Sequence, residues 1–156
     1  MVARVIWSGG KRDGAAISAR ALRGVTALAA LGVGEDDVIA IMLRNEVAFL
    51  EAMLIARQAG CYSCPVNWHY KADEAGYILR DCGAKALIVH ADLLHQIEGG
   101  VPHGVHVIGS SGRLTDHPLG TQVRHRAEDL SCRGEIVLSG LGDSEIADLD
   151  ISGISE

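Results

Sequence analysis

No apolar run in this chain approaches the roughly 20 residues that a membrane-spanning helix needs. The opening residues MVARVIWSGGKRDG also lack the apolar centre of a secretory signal. A cytoplasmic location is therefore expected. Basic residues are outnumbered, 14 Lys and Arg against 20 Asp and Glu, for a formal charge of -6, and they gather in no stripe. Neither nucleic acid nor an anionic membrane surface is an expected partner, because both are bound through clustered positive charge. The 4 cysteines are too sparse for a disulfide scaffold. What the chain does have is apolar content, 48% over 156 residues. That is enough for one domain burying roughly two thirds of its unfolded surface, and it excludes disorder throughout.

The chain is organised around LGVGEDDVIAIMLRNEVAFLEAMLIARQAGCYSCPVN, residues 31–67. Val38 to Leu43 is a run of strand formers bounded by Gly34, Asp36 and Asp37 before it and by Arg44 and Asn45 after it. Glu46 to Gln58 reads as a helix, with Gly60 at the position of a C-terminal glycine. Cys61 to Val66 is a second strand. A strand, a helix and a strand in this order make a βαβ unit with parallel pairing. On the helix, Val47, Leu50 and Leu54 line one side and Ala48, Phe49, Ala52, Met53 and Ala56 another. Glu46 with Arg57, and Glu51 with Gln58, are left as narrow polar stripes. A helix apolar over most of its circumference is expected to be buried on more than one side.

The remainder follows the same rhythm. Arg4 to Ser8 is an edge-strand candidate and Gly9 to Gly14 a hairpin turn. Those glycines and Lys11 do not form a phosphate loop, which needs four residues between its glycines and Ser or Thr after the lysine; Arg12 stands there. Ser18 to Leu31 is an expected helix with Ser18 as N-cap and Leu22, Val25, Leu28 and Ala29 as its inner stripe. Ala72 to Asp81 is another, with Ala75, Ile78, Leu79 and Cys82 on its buried face. Lys85 to Val89 and Val105 to Ile108 are further strands, with a short helix between them over Asp92 to Glu98. The expected fold is α/β: a mostly parallel sheet of about four strands, starting near Val38, Cys61, Ala86 and Val105, with helices on both faces. Beyond Gly109 the rhythm stops. Residues 1–109 are thus set apart as an α/β region, and residues 110–156 as a divergent, acidic and loosely structured tail. Within that tail Glu135 to Ser139 is a strand candidate.

Several short matches fall in one order along residues 17–108: Leu31-Gly32-Val33, Asp37-Val38, Asn45, Phe49, Ala59-Gly60, Pro65-Val66-Asn67 and Tyr77 to Asp81. In that order and spacing they resemble the N-terminal part of the AMP-forming acyl-CoA synthetases, the adenylate-forming ligases or AMP-binding enzymes. Pro65-Val66-Asn67-Trp68-His69 is similar above all to the fatty-acyl and related carboxylate–CoA ligases. Two positions depart from the family pattern: Asp36 stands where glycine is usual, and Lys71 where a capping Ser or Thr is common. The resemblance implies an incomplete first subdomain of the ligase fold. It also implies a parent reaction in which ATP, with Mg2+, and a carboxylic acid give an acyl-adenylate that CoA then converts to a thioester.

In the family that chemistry rests on a phosphate loop ending in Pro-Lys-Gly, a Tyr-Gly-x-Thr-Glu motif, a ribose-binding Asp and a lysine on a C-terminal lid. None of these stands in this sequence. Ser110 to Thr115 imitates the phosphate loop without its Pro-Lys-Gly. No catalytic or metal-binding residue is therefore assigned, the cofactor-binding residues are left open, and no cofactor is expected in this chain. Acid, ATP and CoA are partners of the parent family only. Cys61 and Cys64 have the spacing of a zinc knuckle or redox dithiol, but no second pair accompanies them, and i and i+3 on a strand face opposite sides. His103, His106, His117 and His125 lack carboxylates at ligand spacing. The leading expectation is a truncated N-terminal portion of an acyl-CoA synthetase, with little activity of its own and with self-association through exposed apolar surface. The alternatives are a stand-alone α/β binding or interaction module, and a small metal or thiol protein centred on Cys61 and Cys64.

Overall fold

The computed structural model describes residues 4–7, 10–110 and 137–138. In chain order its elements are β1 (Arg4–Trp7), β2 (Gly10–Asp13), α1 (Gly14–Ala30), β3 (Val38–Met42), α2 (Val47–Gln58) and β4 (Tyr62–Pro65). They continue with α3 (Ala72–Asp81), β5 (Ala84–His90), α4 (Leu94–Ile97, with a 3-10 turn at either end), β6 (His106–Ser110) and β7 (Val137–Leu138). β1 and β2 pair as an antiparallel hairpin, Arg4 opposite Asp13. The other five strands form one sheet in the order β4-β3-β5-β6-β7, and every neighbouring pair in it is parallel. The four expected strands are all present. The fifth, β7, falls inside the Glu135 to Ser139 candidate and extends the sheet through Gly109 opposite Val137 and Ser110 opposite Leu138.

The strand sequences are nearly continuous apolar runs because both faces of the sheet are covered. Ile39, Ile41, Ala86, Ile88 and Ile108 pack with Ala21 and Leu28 of α1 and Ala52, Ile55 and Ala56 of α2. The intervening Ala40, Met42, Leu87, Val89 and Val107 pack with Ala75 and Leu79 of α3 and Leu94 and Ile97 of α4. Each fully buried aliphatic side chain contributes about 1.5–3 kcal/mol of transfer free energy, so the two cores hold the helices docked on either face of the sheet.

Three expectations are corrected in detail. The first helix begins at Gly14, not after Ser18: Asp13 is its N-cap, and its Oδ1 accepts from the Ala16 N–H at 2.7 Å. Its buried face is Ile17, Ala21, Gly24 and Leu28, while Leu22 is 59% exposed and Ala29 is exposed. Small residues win the inner face because α1 and α2 approach closely. A Cβ on Gly24 would lie 2.3 Å from Cδ1 of Ile55. On α2 the face is also rotated. Leu50 is exposed and Glu51, assigned to a polar stripe, is buried. Its Oε1 accepts from Nε of Arg20 at 2.9 Å and from Nη1 of Arg12, so the carboxylate joins α2 to α1 and to the hairpin. α2 does lie between two layers, with α1 on one side and the sheet on the other.

Candidate functional site

β3 and β5 are neighbours, yet the chain leaves β3 into α2 on one face and leaves β5 into α4 on the other. Adjacent parallel strands whose exits diverge open a crevice at their carboxyl ends, the usual ligand site of open α/β sheets. Three side chains mark it: Arg44 just past β3, His90 at the end of β5, and Asp92 just past that. His90 is 1% exposed. Its Nδ1 accepts the Arg44 backbone N–H at 3.1 Å, which assigns the ring proton of the neutral imidazole to Nε2. That Nε2–H has no hydrogen-bond partner among the described residues.

Above His90 the Arg44 guanidinium meets Asp92 end-on, Nη1 to Oδ1 at 3.0 Å and Nη2 to Oδ2 at 2.7 Å. This two-pronged geometry is the one that suits arginine and a carboxylate. Arg44 also lies over the Trp68 ring, 5.4 Å from its centroid, and Trp68 stands against His69 at 3.5 Å between ring centroids. Gln96 donates to the Trp68 carbonyl at 3.0 Å and to the Tyr70 carbonyl at 3.3 Å. The exits of β3, β4 and β5 are therefore laced into one rim. Burial lowers the His90 pKa below the ordinary histidine value, with the Arg44 charge in the same direction and Glu46 and Asp92 opposing. Burial works to raise Asp92, but the hydrogen bonds and charge of Arg44 outweigh it and hold the carboxyl below its usual range. The partner Asp92 likewise raises Arg44.

Chemically the rim braces loops and presents one buried N–H donor. Both terminal nitrogens of Arg44 are engaged by Asp92, so no free guanidinium faces a phosphate here. Among the described residues no three His, Cys, Asp or Glu side chains group as they would around a metal ion. No adenylation step is routed through this rim, whose arginine is already engaged.

The residues singled out from sequence are scattered. Cys61 Sγ donates to the Gly34 carbonyl at 2.9 Å and packs with the core of α1 and α2, whereas Cys64 stands opposite Ala40, which belongs to the core on the other face, so the two thiols of the Cys-x-x-Cys diverge. His103 is exposed and His106 half-buried, far along the chain from any grouping; His117, His125 and Cys132 lie outside the described residues. Ser110 ends β6, and the rest of the phosphate-loop imitation also lies outside them. Lys11 sits in β2 of the hairpin. Arg44, His90 and Asp92 were not singled out from sequence. The signal available was that they follow the two most apolar strands, but bringing them together requires the strand order. No helix among the described residues is long and apolar enough to cross a membrane.

A family model described as AMP-binding enzyme matches residues 5–143. A medium/long-chain-fatty-acid–CoA ligase of Mycobacterium tuberculosis is 36% identical over 80 residues, which are 51% of this chain and 13% of that protein. A feruloyl-CoA synthase of Amycolatopsis is 27% identical, over 85% of this chain and 32% of its own length. Among solved structures, a benzoate CoA ligase from Burkholderia xenovorans superposes with a TM-score of 0.63 at 26% identity, covering 74% of this chain and 23% of that one. The chain therefore spans well under half the length of these relatives. With an α/β sheet like theirs and a family match over most of its residues, the chain belongs to the AMP-binding enzyme family.

Proposed function

We propose that this chain is the N-terminal portion of an AMP-forming acyl-CoA synthetase that activates a carboxylic or fatty acid to an acyl-adenylate and then to a CoA thioester. We further propose that the chain alone does not catalyse that reaction. The observation that carries this reading is the mismatch of coverage: 74% of this chain superposes on only 23% of a benzoate CoA ligase. Residues 1–109 then serve as the first subdomain, and residues 110–156 as a divergent acidic segment. The β3–β5 crevice, braced by Arg44 and Asp92, supplies a rigid wall rather than reacting groups. Activity in fatty acid metabolism in the cytoplasm belongs to the same proposal, as does self-association through exposed apolar side chains such as Leu22 and Leu50.

Adenylyl transfer depends on groups that position and neutralise the phosphates, and loss of one such contact typically costs on the order of 100- to 1000-fold. The sequence carries none of the family motifs for that task. Carboxylate-dependent pyrophosphate exchange with Mg-ATP, run across short, medium and long acids, is expected to stay at the level of a heat-killed control. Exchange clearly above it refutes the second half of the proposal. A stand-alone binding module is the competing reading, favoured by the fact that the rim of Arg44, Asp92, Trp68 and Gln96 is complete within the described residues.

A further inference from the structure

Among the described residues β4 is an outer edge of the sheet, and between it and the last turns of α2 lies an open cavity of about 670 Å³. That volume is in the range of small-molecule sites. The cavity lies at the amino ends of the strands, away from the β3–β5 crevice at their carboxyl ends. Met53 and Leu54, both half-buried, supply its apolar lining, and Arg57 is the one charged side chain among the residues that line it. Among the described residues the Arg57 guanidinium has neither an ion pair nor a hydrogen bond.

The backbone acceptors of that helix end are already used. The carbonyls of Ile55, Ala56 and Arg57 accept from the N–H groups of Ala59, Cys61 and Gly60 at 2.9, 2.9 and 3.3 Å, and the Gly60 carbonyl accepts from Asp36 at 3.0 Å. Donors are what remain. The N–H groups of Tyr62 and Val66 donate toward β3, to Asp37 and Ile41 at 2.8 Å each. By the alternation of a parallel ladder, Ser63 between them turns its N–H to the open edge. Its side chain, opposite Ile39, lies on the α2 face. The Cys61 N–H is spent on Ala56 and Pro65 has none, so Ser63 alone of residues 61–65 offers an N–H outward. One donor cannot carry the ladder of a further strand. It can hold a compact acceptor.

We propose that this cavity binds a small amphipathic carboxylate, its oxygens on Arg57 and the Ser63 N–H and its short apolar body on Met53 and Leu54. Glu35 packs against Gly60, its Cγ 3.4 Å from where a Cβ would stand, and an acidic side chain that close favours a ligand with one negative charge over one with two.

The test titrates the full chain, labelled with 15N, with sodium octanoate below its micelle concentration at pH 7.5, with octan-1-ol and octylammonium in parallel. Octanoate is expected to give saturable amide shifts at Ser63 and around Met53, Leu54 and Arg57, the Ser63 proton moving downfield as it gains an acceptor. The alcohol and the ammonium should bind more weakly. Arg57→Gln is expected to weaken octanoate binding about 3- to 10-fold, the discount for an exposed charge included, and Arg57→Lys to keep most of it. Octan-1-ol binding as tightly as octanoate, equal affinity in Arg57→Gln, or no saturable shift would each overturn the assignment. So would shifts gathered at Leu22 and Leu50, which would mark adsorption on exposed apolar side chains, or at Arg44 and Trp68, which would place the ligand in the crevice. The shift map is made on the unsubstituted chain, so it stands whether or not the variants fold.

Discussion

Asp36 is the single described residue other than glycine with a left-handed backbone, at φ 66. It sits in the turn before β3, exposed, with its N–H donating to the Gly60 carbonyl at 3.0 Å. This is the position where the sequence departs from the glycine usual in the family, and the backbone explains that preference. Aspartate tolerates the conformation better than most L residues but still strains to hold it. Asp36→Gly is expected to stabilise the chain by about 0.5–1 kcal/mol despite glycine's greater unfolded freedom, read as a higher urea midpoint at unchanged slope. His90 sets a pH dependence. Its folded pKa lies below the unfolded value of 6.5. Its contribution to stability is therefore complete above that value and is lost as pH falls through it toward the folded pKa. Asp92, also depressed, adds a loss that begins only below its own ordinary value of 3.8. Urea midpoints measured between pH 7.5 and pH 5 should fall in the parent chain and stay flatter in His90→Gln. Equal slopes for the two would rule out His90 as the titrating group.

At the scale of elements, the contact of α1 with α2 decides between two opposed effects at Gly24. Replacing a mid-helix glycine by alanine ordinarily stabilises by about 1 kcal/mol. Here the added Cβ would come within 2.6 Å of Ile55 Cγ1 as well as meeting Cδ1, and a β-branched side chain in a helix has little rotamer freedom to withdraw. Overpacking typically costs about 1–3 kcal/mol, so Gly24→Ala is expected to lower the thermal midpoint. Combining it with Ile55→Val should recover part of that loss, and strict additivity of the two would argue against the contact. Glu51 makes a comparable point with charge. Glu51→Ala removes the acceptor shared by Arg12 and Arg20 and is expected to cost about 1.5–3 kcal/mol. The loss of order should be seen first as faster proteolysis within the β1–β2 hairpin. At the outer edge of the sheet, Pro65 in β4 contributes no N–H for another strand to pair with, a device that discourages edge-to-edge aggregation.

For the whole molecule, what was legible in sequence was whatever local pattern encodes. The apolar runs at Val38, Ala86 and Val107 and the spacing of Ala75 and Leu79 gave the strands and α3 to within a residue or two. The parallel arrangement followed from their alternation. Faces were less legible, because hydrophobicity favours Leu22 and Leu50 inside, whereas close helix approach selects Ala21 and Gly24, and an ion pair admits Glu51. The crevice was not legible at all. Arg44 and Asp92 are 48 positions apart, and only the order β4-β3-β5 places them together. Lys71 illustrates a milder departure. The Glu74 carboxylate accepts from the Lys71 N–H at 3.0 Å, one half of a capping box, while a lysine side chain has no acceptor to supply the other half.

β3 is enclosed more completely than any other described strand: paired on both sides, covered on both faces, with Ile39, Ala40, Ile41 and Met42 each at 0% exposure. Enclosure of that kind has a dynamic meaning. An amide in the middle of β3 can meet a hydroxide ion only when the entire assembly comes apart, whereas one in the β1–β2 hairpin needs only a local opening. In deuterated water the β3 amides should therefore exchange last, at a rate that tracks global unfolding as urea is added. The hairpin amides should exchange early and without dependence on urea. If β3 exchanged as fast as the hairpin, the middle of the sheet would be opening without the rest.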